Sequence, residues 1–127
     1  MPIYNGLASG GSESKTLLWE NTSPTSGFSS QTITLSDVVS NYKKLRIEVY
    51  DSSGNYYVDY DMSTPSKYLL SGKCGFAIGY HSTNNYTRFG YLYDETYTKI
   101  WWSACYRLGA TSTLSNGCVP AAVYGIK

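Results

Sequence analysis

Leu45-Arg46-Ile47-Glu48-Val49-Tyr50 alternates apolar and polar residues without a break. In an extended chain successive side chains point to opposite faces, so Leu45, Ile47 and Val49 turn toward a core while Arg46, Glu48 and Tyr50 face outward. This is the clearest strand in the chain. Downstream, Asp51-Ser52-Ser53-Gly54-Asn55 is a run of turn formers, and Tyr56 to Asp61 returns as the hairpin partner. Upstream, Gln31 to Leu35 sets Ile33 and Leu35 against Thr32 and Thr34, a second half-buried strand. Thr16 to Glu20 reads as a short strand with Leu17 and Trp19 on one face, followed by a loop around Pro24 and Gly27. Between these, Ser36 to Tyr42 is the one helical piece, two turns at most, with Ser36 as its N-cap and Asp37 in its first turn.

Further strands are expected at Lys67–Leu70, Gly75–His81, Thr87–Tyr93, Tyr97–Tyr106 and Val119–Ile126, punctuated by Asn84-Asn85, Asp94-Glu95 and Asn116-Gly117. Eight or nine closely spaced strands predict an all-β, antiparallel β-sandwich or barrel and exclude a βαβ design. No segment repeats at solenoid or propeller spacing.

The 127 residues are enough for one domain, expected over 16–127, behind a flexible N-terminal arm or linker over 1–15 that is rich in Gly and Ser. With 42% hydrophobic residues the chain is too apolar for disorder, and a net charge of +1 is too balanced for bulk attraction to phosphate. A nucleic-acid partner is therefore not expected. No apolar run approaches the roughly 18–20 residues that cross a bilayer, so membrane insertion is not expected either. The first residues lack a basic start followed by an apolar run, so they do not read as a signal peptide. Cys74, Cys105 and Cys118 contain no C-x-x-C pair and read as small buried hydrophobes, the alternative being one disulfide and a free thiol.

Signals for catalysis are weak. Nucleophilic hydrolysis needs an imidazole poised near neutral pH, and the only one is His81, with no G-x-S-x-G elbow or H-E-x-x-H run beside it. Asp59 and Asp61 share a strand face and are formally eligible as a glycosidase pair, although a solvated face paired with Lys or Arg explains them as well. Asp51 to Asn55 lacks the ligands of a calcium loop, and no phosphate-loop or dinucleotide fingerprint is present, so no metal or cofactor is expected. Asn21-Thr22-Ser23 and Asn85-Tyr86-Thr87 match the glycosylation pattern but read as polar loops.

The aromatic surplus is the positive signal: 16% of residues, among them 14 tyrosines. Strand alternation sends Trp101 and Trp102 to opposite faces, so one fills the core and the other meets solvent or a partner. Tyr56-Tyr57, Tyr86 and Tyr91-x-Tyr93 add more rings than a core of this size requires. Exposed rings beside Asn, Asp and Arg suit a sugar, whose C–H face stacks on an aromatic ring while its hydroxyls meet planar polar groups.

Two stretches together carry a family resemblance. Leu17-Leu18-Trp19-Glu20-Asn21-Thr22-Ser23-Pro24-Thr25, continuing to Ser36 and on through Tyr42-Lys43-Lys44-Leu45-Arg46-Ile47-Glu48-Val49-Tyr50, resembles the opening of a domain common at the C-termini of bacteriophage and prophage tail-fibre and baseplate (receptor-binding) proteins. Gly117-Cys118-Val119-Pro120-Ala121-Ala122-Val123-Tyr124-Gly125-Ile126-Lys127 resembles its closing strand. The resemblance covers about a third of the chain and fades between the two ends. It implies a jelly-roll-like sandwich, a homotrimer displayed on the virion beside other tail proteins after synthesis in the host cytoplasm, and host attachment without catalysis. The expected ligand is a bacterial cell-surface saccharide. Trp101 is expected to stack on it, with His81, Asn84, Asn85, Tyr86, Arg88 and Asp94 as polar contacts chosen by loop proximity. The rival expectation is a purely structural tail or head decoration protein whose surplus rings pack between subunits.

Overall fold

The structure, a computed structural model, describes residues 14–51, 54–70, 75–80, 86–107 and 113–127. Among them eight strands form, β1 (Lys15–Glu20), β2 (Gln31–Thr34), β3 (Lys44–Tyr50), β4 (Tyr56–Asp61), β5 (Phe76–Tyr80), β6 (Tyr86–Leu92), β7 (Lys99–Arg107) and β8 (Val119–Ile126). They build two four-stranded sheets, β1-β8-β3-β4 and β2-β7-β6-β5, with every strand pair antiparallel. The expected all-β sandwich is what forms. Consecutive β1 and β2 lie in different sheets, each beside one of the last two strands, whereas β3-β4 and β5-β6-β7 are hairpin-linked neighbours.

The alternation of β3 decides which face is buried. Leu45, Ile47 and Val49 are fully enclosed, and they meet Ile33, Phe76, Ile78, Leu92, Ile100 and Trp102 from the second sheet. Side chains of this kind, removed from water, supply the main driving force for folding. One corner is aromatic: the Phe76 ring stacks on Tyr68 at 4.7 Å, meets Tyr60 edge-on at 4.9 Å and leans on Trp102 at 6.4 Å. The Trp102 indole lies where a side chain on β6 would stand, since a Cβ at Gly90 would come within 2.6 Å of it. Where the β4 and β5 edges face each other, Tyr60 donates its hydroxyl to the Ala77 carbonyl at 2.7 Å and Tyr56 donates to the Gly79 carbonyl. Two tyrosines therefore occupy edge acceptors that would otherwise invite another strand.

Three local expectations are corrected. Lys67–Leu70 is not a strand: Pro65–Tyr68 is a single 3-10 turn, and Leu69 makes one isolated bridge to Leu92. Pro65 fixes its own φ and starts the turn, and Tyr68 and Leu69 are buried in succession, which a half-buried strand does not allow. Ser36 does not cap a helix; the turn is a 3-10 piece at Val39–Asn41, while the Ser36 N–H donates to the Leu18 carbonyl at 2.9 Å. Asp37 instead accepts from the Val38 N–H at 2.8 Å and the Tyr42 hydroxyl at 2.8 Å. In β1, Leu17 and Trp19 do not share a face: a bulge between them sets Leu17 opposite Tyr124 and Trp19 opposite Val123, leaving Leu17 exposed while Trp19 packs against the core.

Candidate functional site

The outer faces of the two sheets differ in chemistry. On the first sheet, Arg46 forks onto Asp59, Nε to Oδ1 and Nη2 to Oδ2, both at 2.8 Å, and Lys44 reaches the same carboxylate at 3.5 Å. Lys15 approaches Glu48 at 4.0 Å and also lies 4.3 Å above the Tyr124 ring, while the Arg46 guanidinium covers Tyr57 at 4.2 Å. The hydrogen bond and charge of Arg46 hold the Asp59 carboxyl below its ordinary range, and the Ser63 N–H does the same for Asp61. A glycosidase acid needs the opposite, a carboxyl kept protonated near neutrality. Both carboxylates are thus set up as ion-pair and turn acceptors.

On the outer face of the second sheet aromatic rings cluster beside threonines and Lys99. Tyr91 on β6 and Trp101 on β7 are direct cross-strand partners, and their rings lie 6.3 Å apart at an interplanar angle of 20°. Trp101 is half-buried while Trp102 beside it is fully enclosed, the division of labour that strand alternation predicts. Gly75, at the start of β5, leaves room for the Tyr91 ring: a Cβ there would come within 2.7 Å of Tyr91 Cε1. Leu70, Tyr91, Leu92, Tyr93 and Trp101 line a surface groove of about 310 Å³. Leu70 and Tyr93 are 64% and 59% exposed, so water reaches large apolar side chains on both rims. The groove continues past them into a hollow of about 430 Å³ bounded by Leu69, Asp94 and Glu95. Asp94 is fixed there by its own turn: Oδ1 accepts from the Thr96 N–H at 3.1 Å and from the Thr96 hydroxyl, which lowers the Asp94 carboxyl pKa and keeps it ionised.

Of the expected contact residues, Trp101 lines this groove and Asp94 the hollow that adjoins it across Leu70 and Tyr93. Tyr86 does neither: it begins β6, five residues or about 17 Å of strand from Tyr91, and packs half-buried against the core. His81, Asn84 and Asn85 lie outside the described residues.

Arg88 is the clearest correction. It is completely buried between the sheets, and its guanidinium donates to four main-chain carbonyls: Cys118 at 2.9 Å, Phe28 at 3.0 Å, Ser103 at 2.8 Å and Gly117 at 2.9 Å. The planar five-donor fork suits such a cradle, which replaces the water a buried cation loses. No part of it is offered to a ligand. The parity of β6 carries this signal, because Arg88 shares a face with Gly90 and Leu92, opposite Phe89 and Tyr91. The same parity marks Phe89, 41% exposed, as a further member of the outer face. Leu70 and Glu95, also absent from the expected set, come to the groove from a turn that reads as a strand and from a punctuation residue.

Among the described residues no three His, Cys, Asp or Glu side chains form a metal-holding group, and no helix is long and apolar enough to cross a membrane. Comparison with protein-family models, curated proteins and solved structures finds no match to the chain.

Proposed function

We propose that this domain serves host attachment on a bacteriophage tail or baseplate, binding a saccharide of the bacterial surface without transforming it, as a homotrimer within the virion. The observation that carries the reading is the Tyr91–Trp101 pair opening onto a groove with Asp94 and Glu95 at its far end. Stacked rings offer a flat apolar platform to the C–H face of a sugar, and fixed carboxylates accept from its hydroxyls. The sequence resemblance at the two ends of the chain supplies the virion context. Labelled protein binding selectively to some strains in a panel of Gram-positive and Gram-negative cells, and displaced by soluble wall polysaccharide, is the expected result. Trp101→Ala weakens this binding about tenfold or more without altering the fold.

A second reading, a structural virion component with no receptor affinity, is favoured by one feature: Phe89, Tyr93 and Leu70 expose apolar area of the kind that subunits bury against one another. It predicts a tight oligomer that binds no cell.

A further inference from the structure

Cys105 on β7 and Cys118 just ahead of β8 are both buried, and neither is in a disulfide. The Cys118 thiol points at the Tyr86 carbonyl, 3.7 Å away, and the two thiols are near enough to perturb each other's ionisation. The turn that carries Cys118 is held against β7 by several ties. The Leu114 N–H donates to the Cys105 carbonyl at 3.0 Å, and Arg88 donates to the Gly117 and Cys118 carbonyls, each at 2.9 Å. At Gly117 a Cβ would stand 2.8 Å from Cys105 Sγ, so the absence of a side chain lets the turn close onto that sulfur. Cys118 itself adopts φ +45°, a left-handed conformation costly for any residue with a Cβ. The backbone accepts strain at the residue that carries the second thiol, directly after the glycine that closes onto Cys105.

We infer that Cys105 and Cys118 are a latent cross-link, which closes by exchange with a small-molecule disulfide once the protein meets an oxidising medium. The Cys105 thiolate, its proton released to solvent, attacks one sulfur of the external disulfide, giving a mixed disulfide and expelling one thiolate. Cys118 then loses its proton, attacks the Cys105 sulfur and expels the second. Two protein thiols are oxidised to one disulfide, and one external disulfide is reduced to two thiols. The Arg88 cation favours thiolate at both sulfurs and burial opposes it at both, so the same exchange can equally start from Cys118. Asp51 opposes ionisation at both sulfurs. Because both sulfurs are enclosed, exchange requires the turn to open, and it is slow in the fully folded protein.

The experiment uses the full chain carrying Cys74→Ser, so that only this pair can react. It is incubated with glutathione disulfide from room temperature to just below its melting midpoint, trapped with an alkylating agent and mapped by mass spectrometry, alongside the unaltered chain. The expected product has lost two hydrogens, yields a linked Cys105–Cys118 peptide, and melts about 5–10 °C higher in a manner reversed by reductant. A persistent glutathione adduct, both cysteines remaining alkylatable, a Cys74 cross-link in the unaltered chain, or a linked form that melts no higher than the reduced one would each overturn the inference.

Discussion

The Arg88 guanidinium sits 5.2 Å from the Phe28 ring centroid and donates an Nη1 hydrogen to the Phe28 carbonyl at 3.0 Å. One side chain of β6 is thereby tied to the loop between β1 and β2, and through Gly117 and Cys118 to the approach of β8. Arg88→Met removes the donors of four carbonyls at once and is expected to lower stability by about 3–5 kcal/mol. Arg88→Lys keeps the charge but has three donors and no planar fork, so it falls between the two. Urea or guanidinium melts of the three proteins measure this. A stability loss under 1 kcal/mol in the Met variant would contradict the structural role.

Gly90→Ala places a methyl group 2.6 Å from the Trp102 indole, in a part of the core with no free space. The ring must shift, at an expected cost of about 1–3 kcal/mol. Near-ultraviolet circular dichroism reports the altered Trp102 environment, and thermal melting reports the loss. An unchanged spectrum together with an unchanged midpoint would show that the ring lies elsewhere.

Acid lability has an assignable contributor in Asp59. Its folded pKa is lowered, chiefly by the Arg46 hydrogen bond, so its stabilisation is present above the unfolded carboxylate value and is lost as pH falls through the folded one. Asp59→Asn is expected to flatten the acid limb of the stability curve below about pH 4 and to cost about 1 kcal/mol at neutral pH, the pair being partly exposed. Cell binding is unaffected. Stability titrations by fluorescence check both statements, and an acid limb identical to that of the parent would contradict them.

At the alkaline end, burial pushes the Tyr60 hydroxyl up to about 12. In the unfolded chain a tyrosine ionises near pH 10, so this contribution is intact below pH 10 and is lost as pH rises toward 12. Tyr60→Phe removes the hydrogen bond to the Ala77 carbonyl, costs about 1 kcal/mol and softens the alkaline decline. Difference absorbance at alkaline pH, compared between parent and variant, follows that one phenol. A phenol ionising near pH 10 in the folded protein would show that the hydroxyl is solvated.

Much of the architecture is legible in the sequence because a half-buried strand leaves a period of two. The faces of β3 and the paired roles of Trp101 and Trp102 follow from that period, whereas β4 follows from the turn formers ahead of it and β8, buried almost throughout, carries no such alternation. Where sequence reasoning failed, an extra residue or a neighbouring element intervened. A bulge turns Leu17 and Trp19 to opposite faces, and Pro65 converts an apolar run into a 3-10 turn that delivers Leu70 to the groove. Arg88 was misplaced for a different reason. Proximity to the Asn84-Asn85 loop suggests a ligand contact, while parity with Gly90 and Leu92 points inward; only the three-dimensional cradle of carbonyls makes a buried arginine acceptable. The meeting of Trp101 with Leu70, and of Leu70 with Asp94, depends on how turns fold over the sheet end, which no local pattern encodes.

The central claim is that the Tyr91–Trp101 groove binds a bacterial surface saccharide. Its most direct test is the strain-panel binding of the parent beside Trp101→Ala and Tyr57→Ala, the latter removing an exposed ring from the opposite sheet face. Saccharide-competed binding that is lost in Trp101→Ala and kept in Tyr57→Ala is the predicted result. Binding that survives Trp101→Ala, or a folded oligomeric parent that binds no strain, would contradict it.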